Sequence, residues 1–412
     1  MARKSIRDLT REQQMARGPL DLPFLMLTML LLGIGLIMLL SASSYAALYD
    51  RAAGYKVVDG VVKLGDPFFY FRHQLVYAIL GVGVMYGVSR MNYKYWRRFA
   101  FPVLLVAFLL LILVKTPLGV NVNGATRWLH MLLFAGPTFQ PSEVAKLGVV
   151  LVFAANLSKR RTYIPRLHSP MSRKLAMSGW DELPELVPYI LILVIISGLL
   201  LLEPHLSGAI LVMSAGAAIL FAAGVRWRWF GLGGAIAFGL FLFVVKVVGY
   251  NSERLDMWLN PWSDPRKGGY QIIQSLYAVA SGGLTGLGFG QSRQKYLYLP
   301  EEQNDYIFAI VCEELGFIGA ALVIVLFALL IVRGYMLALQ ARDRFGTLLI
   351  VGIDTLMAVQ VGLNIAVVLN ALPSTGISLP FFSYGGTALM IQLAEIGIIL
   401  AVARQIPAPR QE

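Results

Sequence analysis

Ten separate apolar stretches, each long enough to cross a lipid bilayer, constrain this 412-residue chain more than any other feature. They lie near 22–42, 70–89, 98–115, 142–158, 185–202, 207–225, 229–249, 305–332, 346–370 and 386–404. A bilayer core needs roughly 20 apolar residues of helix to span it. Backbone groups in hydrocarbon must satisfy their own hydrogen bonds, so each stretch is expected to be helical. Only 14% of the chain is charged, against about 25% in a soluble domain, and the apolar excess has to face lipid. The expectation is an all-α polytopic membrane protein with about ten transmembrane helices. One membrane domain, 21–404, would sit between polar tails at 1–20 and 405–412.

A net charge of +12 would suit a nucleic-acid partner, but its distribution argues against one. With the N-terminus inside, about 22 of the 35 Lys and Arg fall in cytoplasmic segments, including Arg3, Lys4, Arg7, Arg11, Arg90, Lys94, Lys159, Arg160, Arg161, Arg333 and Arg404. The positive-inside rule accounts for that excess. It also sets the topology: both termini cytoplasmic, and the large loop between helices 7 and 8 (250–304) outside the cell. The first helix follows a basic start, yet its core is too long for a cleaved signal peptide. Cys312 is the only cysteine, so an intrachain disulfide is excluded. The four histidines are scattered, with no metal-ligand spacing and no triad.

The loop at 250–304 concentrates polar chemistry beside the bilayer: Glu253, Asp256, Asp264, Glu301 and Glu302 with Arg254, Arg266, Lys267, Arg293 and Lys295. Within it, Asn260-Pro261-Trp262-Ser263-Asp264-Pro265 has two readings. Asp264 before a proline suits a helix N-cap, with Pro265 at the first helical position. A carboxylate beside prolines and a tryptophan also suits a general base. The run from Gly282 to Lys295, rich in glycine and ending in two cations, is either a flexible loop or a place where backbone amides and cations meet a lipid pyrophosphate. It matches no nucleotide-binding pattern.

A second external segment, Asn121–Leu129, carries Arg127, a candidate phosphate ligand. It is followed by Gln140-Pro141-Ser142-Glu143 and Lys146. Ser142 and Glu143 are expected to cap the fourth helix, with Glu143 and Lys146 paired at i,i+3 or binding a polar head group. Ionisable residues within or between apolar spans are Glu203, His205, Lys246, Glu313, Glu314, Asp354 and Glu395, each a functional candidate by its cost. Glu313 and Glu314 are neighbours about 100° apart on a helix, so both are not expected to face one partner. The uncharged segment 372–387, including Ser383, suits a tight re-entrant turn that hydrogen-bonds a sugar.

Together these segments resemble the SEDS family (shape, elongation, division and sporulation), its FtsW and SpoVE branch rather than RodA. The resemblance runs from the first span to the tenth. It is carried by N-G-A-T-R-W-L at 123–129, Q-P-S-E-V-A-K at 140–146, N-P-W-S-D-P at 260–265 and G-Y-Q-I-I-Q-S at 269–275. Q-K-Y-L-Y-L-P-E at 294–301, D-Y-I-F-A-I at 305–310, E-E-L-G at 313–316 and the 372–387 segment complete it. One departure stands out: many members read Q-P-D-L-G-T after the fifth span, where this chain has Glu203-Pro204-His205-Leu206-Ser207-Gly208.

The resemblance implies a ten-helix enzyme that polymerises lipid II into glycan strands outside the cytoplasmic membrane. Its implied partners are a class B penicillin-binding protein, a transpeptidase, and other division or sporulation membrane proteins. Asp264 maps onto the family's essential aspartate and would act as catalytic base in an inverting glycosyl transfer. Undecaprenyl pyrophosphate would leave, with Arg127, Lys146, Arg293 and Lys295 as candidate cations; Glu143 and Ser383 join them as substrate-binding candidates. No cofactor is demanded, although a divalent cation (Mg or Mn) would suit the leaving group. Two rival readings are a lipid II flippase and a scaffold for the transpeptidase.

Overall fold

The computed structural model describes residues 18–58, 61–122, 125–130, 138–159, 182–246 and 252–406. Most of the N-terminal tail, the basic connector at 160–181, Asn123 and Gly124 of the hairpin motif, and the last six residues lie outside the described residues. Among the described residues, ten helices of 17 residues or more coincide with the ten expected stretches. They are α1 (Leu22–Leu48), α2 (Phe69–Arg90), α3 (Trp96–Val114), α4 (Pro141–Leu157), α5 (Leu183–Leu202), α6 (Leu206–Ala222), α7 (Trp227–Lys246), α10 (Ile307–Gln340), α11 (Arg344–Val368) and α12 (Gly386–Ala403). Six of them (α1, α3, α5, α10, α11 and α12) are long and apolar enough to cross a membrane. Two short helices, α8 (Ser252–Leu259) and α9 (Tyr270–Ser281), lie between α7 and α10.

Small antiparallel sheets fill connections at the end of the bundle that also holds α8 and α9, called here the loop end. One pairs β1 (Lys56–Val58) with β2 (Val61–Lys63). The other has the order β3 (Gly119–Val122), β4 (Ala125–His130), β5 (Thr138–Phe139). At the opposite end, helix starts are set by acidic caps. The Asp21 carboxylate accepts the Phe24 N–H at 3.0 Å and pairs with Arg333 of α10 at 2.5 Å. Asp343 caps α11 through the Gly346 N–H at 2.9 Å. Each aspartate satisfies an amide that the first helical turn leaves without a partner.

The core runs along α4, α11 and α12. Val149, Val150, Leu348, Leu349, Ile350, Ile396, Ile398 and Ile399 are fully enclosed there. Helices α3 and α5 instead expose Phe101, Leu109, Leu191 and Val194, the residues expected to meet lipid. Tyr93, just before α3, is wholly buried and stacks on Phe345 of α11. The segment after α11 does not stay at the surface either. Phe381 and Phe382 are buried, and a Cβ on Gly35 of α1 would come within 2.4 Å of the Phe381 carbonyl oxygen. The re-entrant expectation therefore holds for its path, while its aromatics act as core.

The eighth long helix departs most from expectation. It extends over 34 residues instead of ending near 332, and it is broken at Gly316 (φ 67°, ψ −171°). The break strands two carbonyls and two amides, and the glycine-rich segment supplies their partners. Leu287 and Gly288 donate to the Glu313 and Glu314 carbonyls at 3.0 Å each. Phe317 and Ile318 donate to the Gly283 and Leu284 carbonyls at 2.9 and 3.1 Å. Such closeness requires glycine on both sides. A Cβ on Gly286 would lie 2.1 Å from the Glu314 oxygen, and one on Gly316 2.2 Å from the Gly286 nitrogen. At Leu287 and Gly288 the flexible-loop and phosphate-cradle readings of the Gly282–Lys295 run give way to a packing role, because these two amides already hold protein carbonyls.

Candidate active site at the loop end

Asp264 follows a short 3-10 turn, Pro261–Ser263. Its carboxylate accepts the Gly268 N–H at 3.3 Å, and its carbonyl accepts the Gly269 N–H at 3.0 Å. Helix α9 begins only at Tyr270, with no side-chain cap. The expected helix cap by Asp264, with Pro265 at the first helical position, is thus corrected. Gly268 and Gly269 let the chain fold back first: a Cβ on Gly269 would meet the Pro261 oxygen at 1.9 Å. Asp264 is left half-buried between the exposed Ser263 and Pro265.

The Asp264 loop is tied to the bundle rather than free. Trp258 Nε1 donates to the Asn370 carbonyl at 3.0 Å, and Arg254 Nη1 to the Ser374 carbonyl at 3.2 Å. Ser275 Oγ donates to the Val368 carbonyl at 2.8 Å, and Gln271 Nε2 to the Pro300 carbonyl at 3.0 Å. Every one of these acceptors is a main-chain oxygen, so the loop's path is fixed by backbone. Burial, opposed by its own backbone hydrogen bond, pushes the Glu302 carboxyl up to about 7. Asp305 is raised to about 6 by burial and then by Glu301, against the pull of Arg127 and Arg254.

Arg127 projects from β4 to the α5–α6 hairpin, donating from Nε to the Glu203 carbonyl at 3.3 Å and from Nη2 to the Pro204 carbonyl. Lys115 donates to the Leu202 carbonyl beside them. Two cations therefore gather where the carbonyls of α5 end, which is the favourable sign for a helix C-terminus. Both Glu203 carboxylate oxygens are buried without a hydrogen bond. Burial lifts this carboxyl to about 8, with Lys115 and Arg127 opposing. Burial, then Arg127 and Lys146, lowers His205 to about 3, so its ring is neutral.

Glu143 and Lys146 pair at 2.7 Å in the first turns of α4, both nearly sealed from solvent. Lys146 Nζ also donates to Gln360 Oε1 at 3.5 Å. The helix starts after Gln140 without a side-chain cap, and Ser142 Oγ is buried with no partner. The expected capping by Ser142 and Glu143 is not what the helix uses, because Pro141 occupies its first position and needs no acceptor.

The remaining candidates are held by protein groups or lie at the surface. Lys295 is buried, with Nζ at 3.3 Å from Glu314 and from Ser41 Oγ, and at 2.6 Å from the Gly290 carbonyl. Ser383 Oγ donates to the Asn304 carbonyl and accepts the Leu379 N–H, both at 2.7 Å. Like Lys146, both side chains are buried and engaged by protein groups. Arg293 is exposed at the surface, its backbone N–H on Glu313 at 3.1 Å. Glu313 and Glu314 do share one partner, contrary to the helical-wheel expectation. Ser292 donates its hydroxyl to Glu313 and its N–H to Glu314, at 3.2 Å for the latter. The wheel argument failed because Ser292 offers two donors pointing in different directions.

Among the described residues no three His, Cys, Asp or Glu side chains converge as a metal cage. Residues the sequence did not single out as a group are Arg127, Asp305 and Gly376, where a Cβ on Gly376 would lie 3.3 Å from Asp305 Oδ2 and 3.9 Å from Arg127 Nη1. The signals present were Arg127 and the D-Y-I-F-A-I motif; the missing one was their convergence.

Fold and site together define a multi-pass helical membrane protein with a carboxylate-bearing loop anchored at one end. The chain belongs to the FtsW/RodA/SpoVE family, whose model, described as a cell cycle protein, matches residues 22–407. It is 38% identical over 393 residues to stage V sporulation protein E of Bacillus subtilis, covering 93% of this chain and 97% of that relative. Over 388 residues it is 38% identical to a probable peptidoglycan glycosyltransferase FtsW of Geobacter sulfurreducens, covering 94% and 95%. A solved chain from work on structural coordination of polymerization and crosslinking by a peptidoglycan synthase complex matches with a TM-score of 0.71 at 28% identity, over 95% of this chain and 99% of that one. The rod shape determining protein RodA of Thermus thermophilus matches at 0.64 and 26%, over 95% and 98%.

Proposed function

We propose that this protein is a peptidoglycan glycosyltransferase that polymerises lipid II at the outer face of the cytoplasmic membrane, in division or sporulation. The reading draws on relatives named for that activity along nearly the whole chain. The observation that carries it to a mechanism is Asp264, a half-buried carboxylate on a turn held by backbone contacts to the bundle. A base must be held in place yet reachable, and this turn meets both conditions.

In the proposed reaction, Asp264 takes the proton of the acceptor's GlcNAc 4-hydroxyl as that oxygen attacks C1 of the donor MurNAc from the face opposite the leaving group. The C1–oxygen bond to undecaprenyl pyrophosphate breaks, and the bonding pair leaves with the pyrophosphate. Its developing charge needs cations nearby; Arg127, Lys146 and the exposed Arg293 are the side chains proposed for that role, with Glu143 orienting Lys146. A divalent ion such as Mg or Mn, if recruited, would find its main ligands on the pyrophosphate itself and would supply further charge neutralisation. A class B penicillin-binding protein is proposed as the partner that crosslinks the product, in line with the resemblance to the synthase-complex chain.

The test is a gel of glycan products from the purified chain and lipid II, with and without the partner, for the parent and for Asp264→Asn. Asn can still accept the Gly268 N–H but cannot take up a proton, so strands are expected from the parent and none from the variant. Polymer at near the parental rate from Asp264→Asn would remove Asp264 as the base. A parental chain that makes no polymer alone or with partner would favour the scaffold reading.

A further inference from the structure

We infer that the cavity in the connection between α1 and α2 is a binding site for the phosphodiester of an anionic phospholipid, held by Lys56 and Lys63. The inference goes beyond the polymerase reading and does not depend on it. The cavity measures about 400 Å³, within the roughly 300–1,000 Å³ of small-molecule sites. Its charged lining is Lys56, Lys63 and Asp66. Strands β1 and β2 set Lys56 directly opposite Lys63. Like charges in that position weaken a sheet, and a two-stranded hairpin has little stability to spare. An anion shared by the two ammonium groups replaces that repulsion with attraction.

The carboxylate of the lining is already engaged. Asp66 pairs with Arg72 and accepts the Phe68 N–H at 3.0 Å. The nearby Asp50 accepts from the Tyr70 hydroxyl and from the Ala52 N–H, the latter at 2.8 Å. Among the described residues, neither Lys56 nor Lys63 has a carboxylate partner. Both are exposed, so a head group can reach them. The backbone around the cavity is fixed before anything binds. Gly65 donates its N–H to the Leu48 carbonyl at the end of α1 at 2.8 Å, and Asp66 donates to the Ala53 carbonyl at 2.9 Å. A Cβ on Gly65 would stand 2.5 Å from the Ala47 oxygen, so glycine is what lets the chain pass this close to α1. Preorganised walls of this kind lower the ordering cost of binding.

Placement selects a lipid over a soluble anion. The cavity lies where α1 ends and α2 begins, at the loop end of the bundle. Leu64 of the lining and the neighbouring Phe68 are about half exposed. Tyr49 touches Tyr45 and Tyr55, and Tyr45 meets Tyr296 edge-on. Tyrosines gathered at the ends of apolar helices mark the level where hydrocarbon gives way to head groups. A phosphodiester at that level is charged and only accepts hydrogen bonds, which suits two donors that cannot accept any. A zwitterionic head group would bring its own cation to the lysine pair.

The experiment records native mass spectra of the full chain in detergent with added phosphatidylglycerol, or with phosphatidylcholine of the same acyl chains. Glycerol 1-phosphate, a phosphate ester without tails, is the third probe. The parent is expected to prefer phosphatidylglycerol by about tenfold or more, the usual gain from two lysines near anionic lipid. Lys56→Gln with Lys63→Gln should abolish that preference, and Lys56→Arg with Lys63→Arg should keep it. Arg51→Gln, which removes a charge from the same loop but not from the cavity lining, should also keep it. Glycerol 1-phosphate should bind far more weakly than the lipid. No preference in the parent, an undiminished one in the double Gln variant, or an equal loss in Arg51→Gln would overturn the site. Glycerol 1-phosphate binding as tight as the lipid would assign the cavity to a soluble phosphate ester and overturn the phospholipid. Unchanged lipid binding in the double Gln variant, with weaker capture of the class B penicillin-binding protein, would turn the lysines toward an acidic protein face and likewise overturn it. None of these measurements uses lipid II, so their outcome leaves the polymerase reading untouched.

Discussion

Lys295 and Glu314 form an ion pair at 3.3 Å that is closed to solvent and joins the glycine-rich loop to the broken helix α10. Ser41 of α1 sits on the same carboxylate, with its hydroxyl 2.6 Å from Oε1. Three chain segments distant in sequence therefore meet at one charge. Truncating one partner of such a pair leaves the other charge buried and unpaired, at a cost of about 3–5 kcal/mol. Lys295→Met should thus lower the thermal midpoint of the purified protein sharply, while Lys295→Met with Glu314→Met recovers part of it. A Lys295→Met single variant as stable as the parent would show that Ser41 and the Ser292 N–H suffice to hold Glu314.

Gly286 tests the docking of the loop by geometry. It has φ 80°, and a Cβ would stand 2.1 Å from the Glu314 oxygen. Gly286→Ala combines a left-handed backbone, costing about 1 kcal/mol or more, with that clash. The loop should detach from the helix break, and limited proteolysis should cut within 283–291 faster than in the parent. Gly283→Ala offers a comparison, since it has φ 53° but nothing near its Cβ position.

The Glu203 carboxyl sets a pH dependence of stability with a definite sign. Its folded value, about 8, lies above the ordinary 4.5 because burial outweighs Lys115 and Arg127. The folded state therefore holds the proton more tightly than the unfolded state. The resulting stability is fully present below about pH 4.5 and is lost as pH rises through about 8. Glu203→Gln should remove this slope. The variant should match the parent's stability near pH 5 and exceed it near pH 9, by on the order of a few kcal/mol at most. Parallel pH profiles would rule out a titrating Glu203.

Arg127 and Lys146 should matter more to lipid II than charge alone explains. Arg127→Ala or Lys146→Ala is expected to reduce turnover well beyond Arg51→Ala, a charge outside every motif. Lys146→Ala also strands the buried Glu143, so Lys146→Ala with Glu143→Ala separates stability from substrate binding. Equal losses in Arg51→Ala would reduce both residues to contributors of surface potential.

Adding the class B penicillin-binding protein should raise the rate of glycan strand formation. The Asp264 loop is held by a handful of hydrogen bonds to main-chain oxygens, so contact from outside has a defined element to shift. Polymerisation assays at saturating partner, showing equal rates with and without it, would indicate a self-sufficient enzyme.

The positions of the ten long helices were legible in the chain, because apolar stretches of this length favour helix, and six of them are apolar enough to cross a membrane. The Glu143–Lys146 pair was legible for a similar reason, since i,i+3 spacing is local. Asp264 was marked by its motif, yet the turn it occupies depends on Gly269 closing against Pro261, a contact that no period reveals. The roles of Glu313, Glu314, Lys295 and Ser383 were decided only by the tertiary structure. The loop 282–295 returns onto the break at Gly316, and segment 377–383 dives beside α1. Polar side chains read as facing a substrate became buried partners of backbone and of each other. The convergence of Arg127, Asp305 and Gly376 is likewise tertiary: three segments far apart in the chain meet because Asn364 binds two of their carbonyls at once. Local patterns fix what an element is, whereas which elements meet depends on long-range packing, which no short stretch of sequence encodes.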